Sequence, residues 1–378
     1  MRFISTSTAV ALFLLATCRP SYSPNPVTTT PHLVGSPADM AGGNAYGRAT
    51  VANDGSLFGS ATYFAGGNNT IKALSSPNSG GSWTVLSPIA TGSSNTHDID
   101  NTYILQLPGG RILAAFRNHD MQGKGNYTYY RITVTSSDDG GKSWKFLSQA
   151  AENPAKPPPN SKSRRFLHTS KANSLMFLDN GVWEPFLRLT NSGGVQIYYS
   201  RENNATDQDL IMSTSTDHGA TWSNPVVVIG ADKSDARDGM IGIAPNGASG
   251  HLLAVFESEQ NGIFQVQKSA SSDDGNTWGP RGVVYAAPNG LNAQAPQVTN
   301  VNGVLVTSFM TNEDTGVGRT SDEAAKIVTS GDCGNTWGNK LTVGQPPSFW
   351  PGLCTTGKEN FIVIYGTDVV KAQNATLS

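Results

Sequence analysis

An eight-residue pattern, Ser-x-Asp-x-Gly-x-Ser/Thr-Trp, occurs at Ser137–Trp144, Ser215–Trp222, Ser271–Trp278 and Ser330–Trp337, and a variant with Asn78 at the Asp place runs from Ser76 to Trp83. Each copy has the chemistry of a tight turn between strands. The Asp or Asn accepts local backbone N–H bonds, the Gly takes a positive φ, and the Trp packs the turn onto the sheet. Five copies with tryptophans 56 to 78 residues apart mean repeated supersecondary units that bury their faces against one another.

Between the turns each unit reads as two alternating strands joined by a Gly turn, then a third strand running into the next copy. Asn101–Leu107, Ile112–Arg117 and Tyr130–Ser136 are one such set; Asp238–Ala244, Leu252–Glu257 and Phe264–Ala270 are another. A last unit begins near Trp350 and ends without a box. A segment around Thr28 to Val34 is therefore expected to supply its outer strand and to remove the open sheet edge. The expected fold is all-β, a six-bladed β-propeller. The 41 Gly, 21 Pro and 14% charged residues suit many short strands and turns.

The net charge of -2 offers no general attraction to nucleic acid or to an anionic membrane, so a neutral substrate is expected. Arg2, the apolar stretch Ala9 to Ala16 and the small residues Ser21 to Ser23 read as a signal peptide over residues 1–23. Residues 24–378 then form one catalytic domain that is secreted, extracellular and monomeric. Sequons at Asn68, Asn126, Asn204 and Asn374 agree with export and glycosylation. Cys18 leaves with the signal. A bridge between Cys333 and Cys354 is not expected, because one lies in a far-face turn and the other in an inner strand. No metal-ligand spacing is present, and no cofactor is required.

In an antiparallel blade, the start of the innermost strand and the end of the second strand share one face, opposite the box turn. The box aspartates are thus turn formers. The site is read from the other face, where Glu184 opens a strand in WEPFLRL and Glu257 ends the apolar run LLAVFE. Two carboxyl groups from neighbouring blades suit glycoside hydrolysis, one protonating the leaving oxygen and one attacking the anomeric carbon. Asp100, Asn118, Arg201, Arg237, Asp238 and Trp350 are the candidates for substrate contacts. An isolated strand-end Glu is equally served by an ion pair with Arg201 or Arg237 that holds blades together.

The box repeats resemble the Asp-box repeats of the sialidase-like propellers. GVWEPFLRL, YYSREN, ARDGMIGIA, LLAVFESE and HDIDNTYILQLPGGRILAAFRNHD together resemble the fungal exo-α-1,5-L-arabinanases of glycoside hydrolase family 93. That resemblance implies a retaining exo-enzyme that releases arabinobiose from linear arabinan of plant cell-wall pectin side chains. Its acid/base falls on Glu184 and its nucleophile on Glu257. It also implies a hydroxyl-bearing aromatic residue near the place of Cys354, where a thiol would weaken transition-state stabilisation.

Two alternatives stay open. An exo-sialidase would present three arginines to a substrate carboxylate, for which Arg48, Arg201 and Arg237 are available, although Tyr46-Gly47-Arg48-Ala49 lacks the expected Arg-Ile/Leu-Pro segment. A propeller that only binds glycans or proteins is the other, since fold alone implies no chemistry.

Overall fold

The computed structural model describes residues 30–155, 180–316 and 322–378; the expected signal peptide and Cys18 lie outside them. Among these residues every regular element except one 3-10 turn is a β-strand. Among the described residues the first element is β1 (Pro31–Asp39), and antiparallel strands in groups of four follow. The first group is β2 (Ala45–Val51), β3 (Leu57–Ala65), β4 (Asn68–Ser76) and β5 (Thr84–Ser93). The second is β6 (His97–Gln106), β7 (Ile112–Met121), β8 (Tyr127–Ser137) and β9 (Lys145–Pro154). A fourth strand thus follows each box and forms the outer edge.

The next eight strands are β10 (Val182–Leu189), β11 (Val195–Asn204), β12 (Asp207–Ser215), β13 (Val226–Ile229), β14 (Arg237–Pro245), β15 (Leu252–Gln260), β16 (Ile263–Ser271) and β17 (Gly282–Tyr285). Here the hydrogen bonding departs from the expected separate blades. One parallel pair, Gln208 against Arg237, joins β12 to β14, so two antiparallel halves form one eight-stranded sheet. The cause is local: the Gln208 N–H donates to Ala236 O at 3.0 Å, which ties the incoming loop to the neighbouring strand.

Then come β18 (Ala293–Val301), β19 (Val304–Thr311), β20 (Ala324–Ser330) and β21 (Gly338–Gly344), followed by β22 (Phe349–Thr355), β23 (Asn360–Gly366) and β24 (Val370–Leu377). The last sheet is completed from the other end of the chain. β1 pairs antiparallel with β24, from Pro31 opposite Leu377 to Asp39 opposite Lys371. This is the edge closure expected from the missing last box.

Apolar side chains alternate to fill the spaces between consecutive groups. Ile71 and Phe116 pack between the first and second, Val134 and Leu187 between the second and third, and Phe186 and Phe256 across the eight-stranded sheet. Leu253 and Leu305, then Ile327 and Phe361, continue the series. Leu57 and Ile364 bring the last group onto the first, closing a ring. Each such fully buried Leu, Ile or Phe contributes on the order of 1.5–3 kcal/mol. The architecture is an all-β propeller.

The box turns form as their residues dictate. In the second group Gly141 N–H donates to Ser137 Oγ at 2.8 Å, and Ser143 N–H and its hydroxyl donate to the Asp139 carboxylate at 3.0 and 2.5 Å. Trp222 Nε1 reaches back to Ser148 Oγ at 2.9 Å, and that hydroxyl donates to Gly219 O at 2.6 Å, so the box also pins its blade to the one before. In register, Ile112 opposes Ser137 at the box end of β7 and Arg117 opposes Asp100 at the other end. The boxes and the candidate site are on opposite faces, as expected.

Candidate functional site

Each innermost strand carries the same irregularity. The register between first and second strands slips between Ala45 and Arg48, Asp100 and Tyr103, Trp183 and Phe186, Gly239 and Gly242, Gln294 and Gln297, and Phe349 and Gly352. At every slip one residue other than glycine has a left-handed backbone: Tyr46, Asn101, Glu184, Met240, Ala295 and Trp350, with φ between 47° and 55°. Bulges of this kind bend a strand and re-aim a side chain. A left-handed bulky residue costs about 1–3 kcal/mol and persists where its surroundings over-determine it. The repeated bulge places these residues around the central axis.

Glu184 is therefore aimed inward by a conformation that its neighbours in the ring share. Its Oε2 accepts from Met240 N–H at 3.1 Å and from Ser200 Oγ at 3.1 Å. It lines a recess with Tyr46, Arg48, Asn101, Tyr103 and Met240. Burial raises its pKa above the ordinary carboxylate range, against the opposing pull of Met240 N–H, Arg117, Ser200 and Arg237. Glu257, near the end of β15, opposes Gly239. Its Oε2 accepts from Ala295 N–H at 2.7 Å. Each glutamate is thus held by the bulge amide of the group that follows it.

Gly239 lies between them. A Cβ there would stand 3.1 Å from Glu184 Oε2 and 3.2 Å from Glu257 Oε1. Since 3.1 and 3.2 Å sum to 6.3 Å, those oxygens are no farther apart than that. A side chain at position 239 would crowd both carboxyls, which would have to give by a few tenths of an ångström. The structure brings the two sequence-predicted glutamates to one place.

Among the other predicted contacts, Trp350 belongs to the site. It is a bulge residue, stacked on Tyr46 with centroids 4.6 Å apart and flanked by Phe349 at 5.5 Å. Arg237 stands near Glu184 but gives its guanidinium to Glu202 Oε1 at 2.7 Å and Gln208 Oε1 at 2.9 Å. Asp100 is buried under the rim. It accepts from Thr62 Oγ1 at 2.6 Å and pairs with Arg117 at 3.3 Å, and burial lifts it to about 6 despite Arg117. It anchors Arg117.

Asn118, Arg201 and Asp238 are not brought to the site. Asn118 follows Arg117 and so faces the other side of the sheet, where its Nδ2 donates to Thr133 Oγ1 at 3.1 Å. Arg201 follows Ser200 in the same way and lies opposite Asp209. Asp238 is fully buried in an ion pair with Arg281 at 2.6 Å. Cys354 is a free, buried thiol at the far end of β22, in an apolar cluster with Met40, Trp83 and Ile362; burial pushes it up to about 12. It does not pair with Cys333.

Sequence reasoning missed Tyr46, Asn101, Ser200, Met240 and Ala295 as site residues. A partial signal existed, because Pro185, Pro296 and Pro351 each follow a bulge residue, and a residue before proline is kept out of the right-handed helical region.

No sequence-family profile and no curated protein matches the chain. Solved structures do. A glycoside hydrolase family 93 α-L-arabinofuranosidase of Fusarium graminearum, solved with arabinobiose, is 22% identical with a TM-score of 0.67, covering 91% of this chain and 98% of that one. An α-L-arabinanase of Penicillium chrysogenum, also with arabinobiose, is 17% identical with a TM-score of 0.67 over 92% and 99%. The NanB sialidase of Streptococcus pneumoniae is 10% identical with a TM-score of 0.55 over 93% and 70%. At these identities the likeness establishes the fold alone, an all-β propeller of the kind these enzymes share.

Proposed function

We propose that this protein is a secreted, retaining glycoside hydrolase that acts from the chain end of linear α-1,5-L-arabinan and releases arabinobiose, with Glu184 as acid/base and Glu257 as nucleophile. The observation that carries the reading is the carboxylate pair across Gly239. Its upper bound of 6.3 Å, between one oxygen of each group, is compatible with the roughly 5–5.5 Å between the carboxyl groups of retaining enzymes.

In the first step Glu257 attacks the anomeric carbon while Glu184 gives its proton to the glycosidic oxygen. The C–O bond breaks, the leaving chain departs as an alcohol, and a glycosyl ester of Glu257 remains. In the second step Glu184 takes a proton from water as that water attacks the anomeric carbon, which frees Glu257 and returns Glu184 to its acid form. Burial of Glu184 favours the protonated form that the first step needs, and a second carboxylate close by acts in the same direction. Trp350 and Tyr46 offer an aromatic face for a sugar ring. The arabinobiose held by the two fungal structures supports this substrate class.

We read the propeller as six-bladed, counting the eight-stranded sheet as two blades, because the bulge recurs six times. Residues 24–378 are read as one domain, supported by the β1 and β24 pairing, and as monomeric. Secretion rests on the N-terminal residues and the sequons. The sialidase reading is weakened by its arginines. Arg48 is buried with its Nη1 donated to Gly47 O and Trp350 O at 2.8 and 3.0 Å, Arg201 faces away, and Arg237 is committed to Glu202.

The test is product analysis with linear α-1,5-arabinan, using the wild type, a Glu257→Ala variant and a sialyl-lactose control. Arabinobiose is expected from the wild type, with the rate falling about 10⁴-fold or more in the variant, the scale of losing a covalent nucleophile. Absence of arabinan turnover in the folded wild type overturns the reading. Turnover of sialyl-lactose then favours a sialidase, and no turnover of either favours a binding propeller.

A further inference from the structure

Three of the four sequons fall at the same place in successive units. Asn68 opens β4, Asn126 immediately precedes β8 and Asn204 ends β11, so each stands at the turn between the second and third strands of its group. The third strands end at Ser76, Ser137 and Ser215, where the boxes begin. Their starts are therefore on the opposite face, the face of the candidate site. Two of the turns touch residues beside the glutamates. Arg237 Nη1 donates to Ala205 O, next to Asn204, at 3.3 Å, and Tyr127, next to Asn126, donates its hydroxyl to Asp98 Oδ2 at 2.7 Å, which pairs with Arg117 at 3.2 Å.

The side chains at these turns leave room for a bulky group. Asn68 and Asn204 are exposed and Asn126 is half-buried. Asn204 Oδ1 accepts from the Thr206 N–H at 2.9 Å and from its hydroxyl at 3.0 Å, which turns Nδ2 outward. Asn126 Nδ2 gives one of its two protons to Gln122 O at 3.2 Å, and the other is replaceable without loss of that bond. The fourth sequon is placed differently. Asn374 lies within β24, opposite Val34 of β1 on one side and Ile362 of β23 on the other. Directly opposed residues turn their side chains to one face. Ile362 is fully buried among Met40, Leu57 and Trp83, where the last group packs onto the first, and a Cβ on Gly80 of the first box would stand 3.1 Å from it. A sugar on Asn374 would have to enter that packing.

We propose that Asn68, Asn126 and Asn204 carry N-linked glycans and Asn374 does not, so that sugar chains border the site face along three consecutive groups. The donor is a lipid diphosphate-linked oligosaccharide of the secretory pathway. Asn Nδ2 bonds to its anomeric carbon, the bond from that carbon to the diphosphate oxygen breaks, and one amide proton leaves. Glycans are bulky and solvated, and suit exposed turns. The matching turns after β15, β19 and β23 carry no sequon, so the other half of the rim stays bare. The proposal rests on the secretion proposed above and not on the reaction.

The experiment is expression of the full-length chain in a secretory eukaryotic host, followed by peptide N-glycosidase in heavy-oxygen water and peptide mass spectrometry, which marks each formerly glycosylated Asn as labelled Asp. Marks are expected at Asn68, Asn126 and Asn204 and not at Asn374. Thr70→Ala, Thr128→Ala and Thr206→Ala keep each asparagine and should each remove one glycan, read as one step of faster gel migration, whereas Thr376→Ala should change nothing. A mark on Asn374, or no mark at any one of the three, overturns the proposal. Protein retained in the cytosol overturns secretion and the glycans together, while unmarked protein in the medium overturns the glycans alone. Arabinan turnover, measured on the same sample, reports separately on the reaction.

Discussion

The two faces of the propeller repeat in different ways. On the box face both backbone and side chains recur: Asp139, Asp217, Asp273 and Asp332 each accept from a Ser two residues before and a Ser or Thr four residues after. On the opposite face only the backbone recurs. The same left-handed bulge carries Tyr, Asn, Glu, Met, Ala and Trp in turn. Identical side chains mark a task done in every unit, here turn closure. Different side chains on an identical backbone mark a task done once by the whole ring.

The comparison is sharpest at acids with opposite shifts. In Asp217 the Thr221 hydroxyl and amide hold the pKa down to about 2. In Asp273 burial works the other way, yet the bonds from Thr277 and Ser271 still leave it below the ordinary range. Glu184 is raised, chiefly by burial. Linkage then gives the two kinds of acid opposite signs. A depressed acid contributes stability above its unfolded pKa and loses it as pH falls through the folded value. A raised acid is most compatible with folding below its unfolded pKa, and becomes a liability as pH rises through the folded one.

The largest effect is expected at Glu184. Glu184→Gln should lower kcat/KM on arabinan by about 10²–10⁴-fold, the usual contribution of a general acid, and should remove the alkaline limb of the pH profile. That limb in the wild type is expected above the ordinary carboxylate range. Its Tm at neutral pH should be equal to or higher than the wild type's, because a buried ionisable group has been removed. A fall in Tm with activity retained would break the comparison.

Asp273→Ala should do the reverse. It loses bonds from Ser271 and Thr277 at a largely exposed turn, about 1 kcal/mol, read as a Tm lowered by a few degrees at pH 7. Activity per folded molecule should be unchanged. The deficit should shrink as pH falls below about 4, where the Asp of the unfolded chain takes up a proton, and vanish as pH falls through the lower folded value; a deficit independent of pH would refute that account.

The smallest effect is expected within the bulges. Ala295→Gly keeps the N–H that holds Glu257 and relieves the left-handed backbone, at the loss of one buried methyl group. The two nearly cancel, so stability should stay within about 1 kcal/mol. Ala295→Val should destabilise by more, because a β-branched residue is poorly tolerated at positive φ. Equal effects of Gly and Val in thermal unfolding would show that the bulge is not strained.

Much of this was legible in the residues. The box spacing predicted the repeated antiparallel units. The unpaired last unit predicted the contribution of a strand from near the N-terminus. Glu184 and Glu257 were legible because each sits at the end of an apolar strand run, which places it at a rim. The contacts around them were less so. Asn118 and Arg201 were misplaced by one residue, and in a strand one residue is the difference between the two faces of the sheet. Asp238 was misread because nothing local announces Arg281, which reaches it from 43 residues away.

By itself, then, the amino-acid order determined the unit, its turns and the positions of two acidic strand ends, since these depend on residues within a few places of one another. Which side chains share a pocket was decided only by the closed ring. Bulge amides from one group orient a carboxylate of the group before, and the distance across Gly239 is set by how two blades pack. Such relations join residues far apart in the chain, and burial in that packed setting is what raises Glu184 above the ordinary carboxylate range.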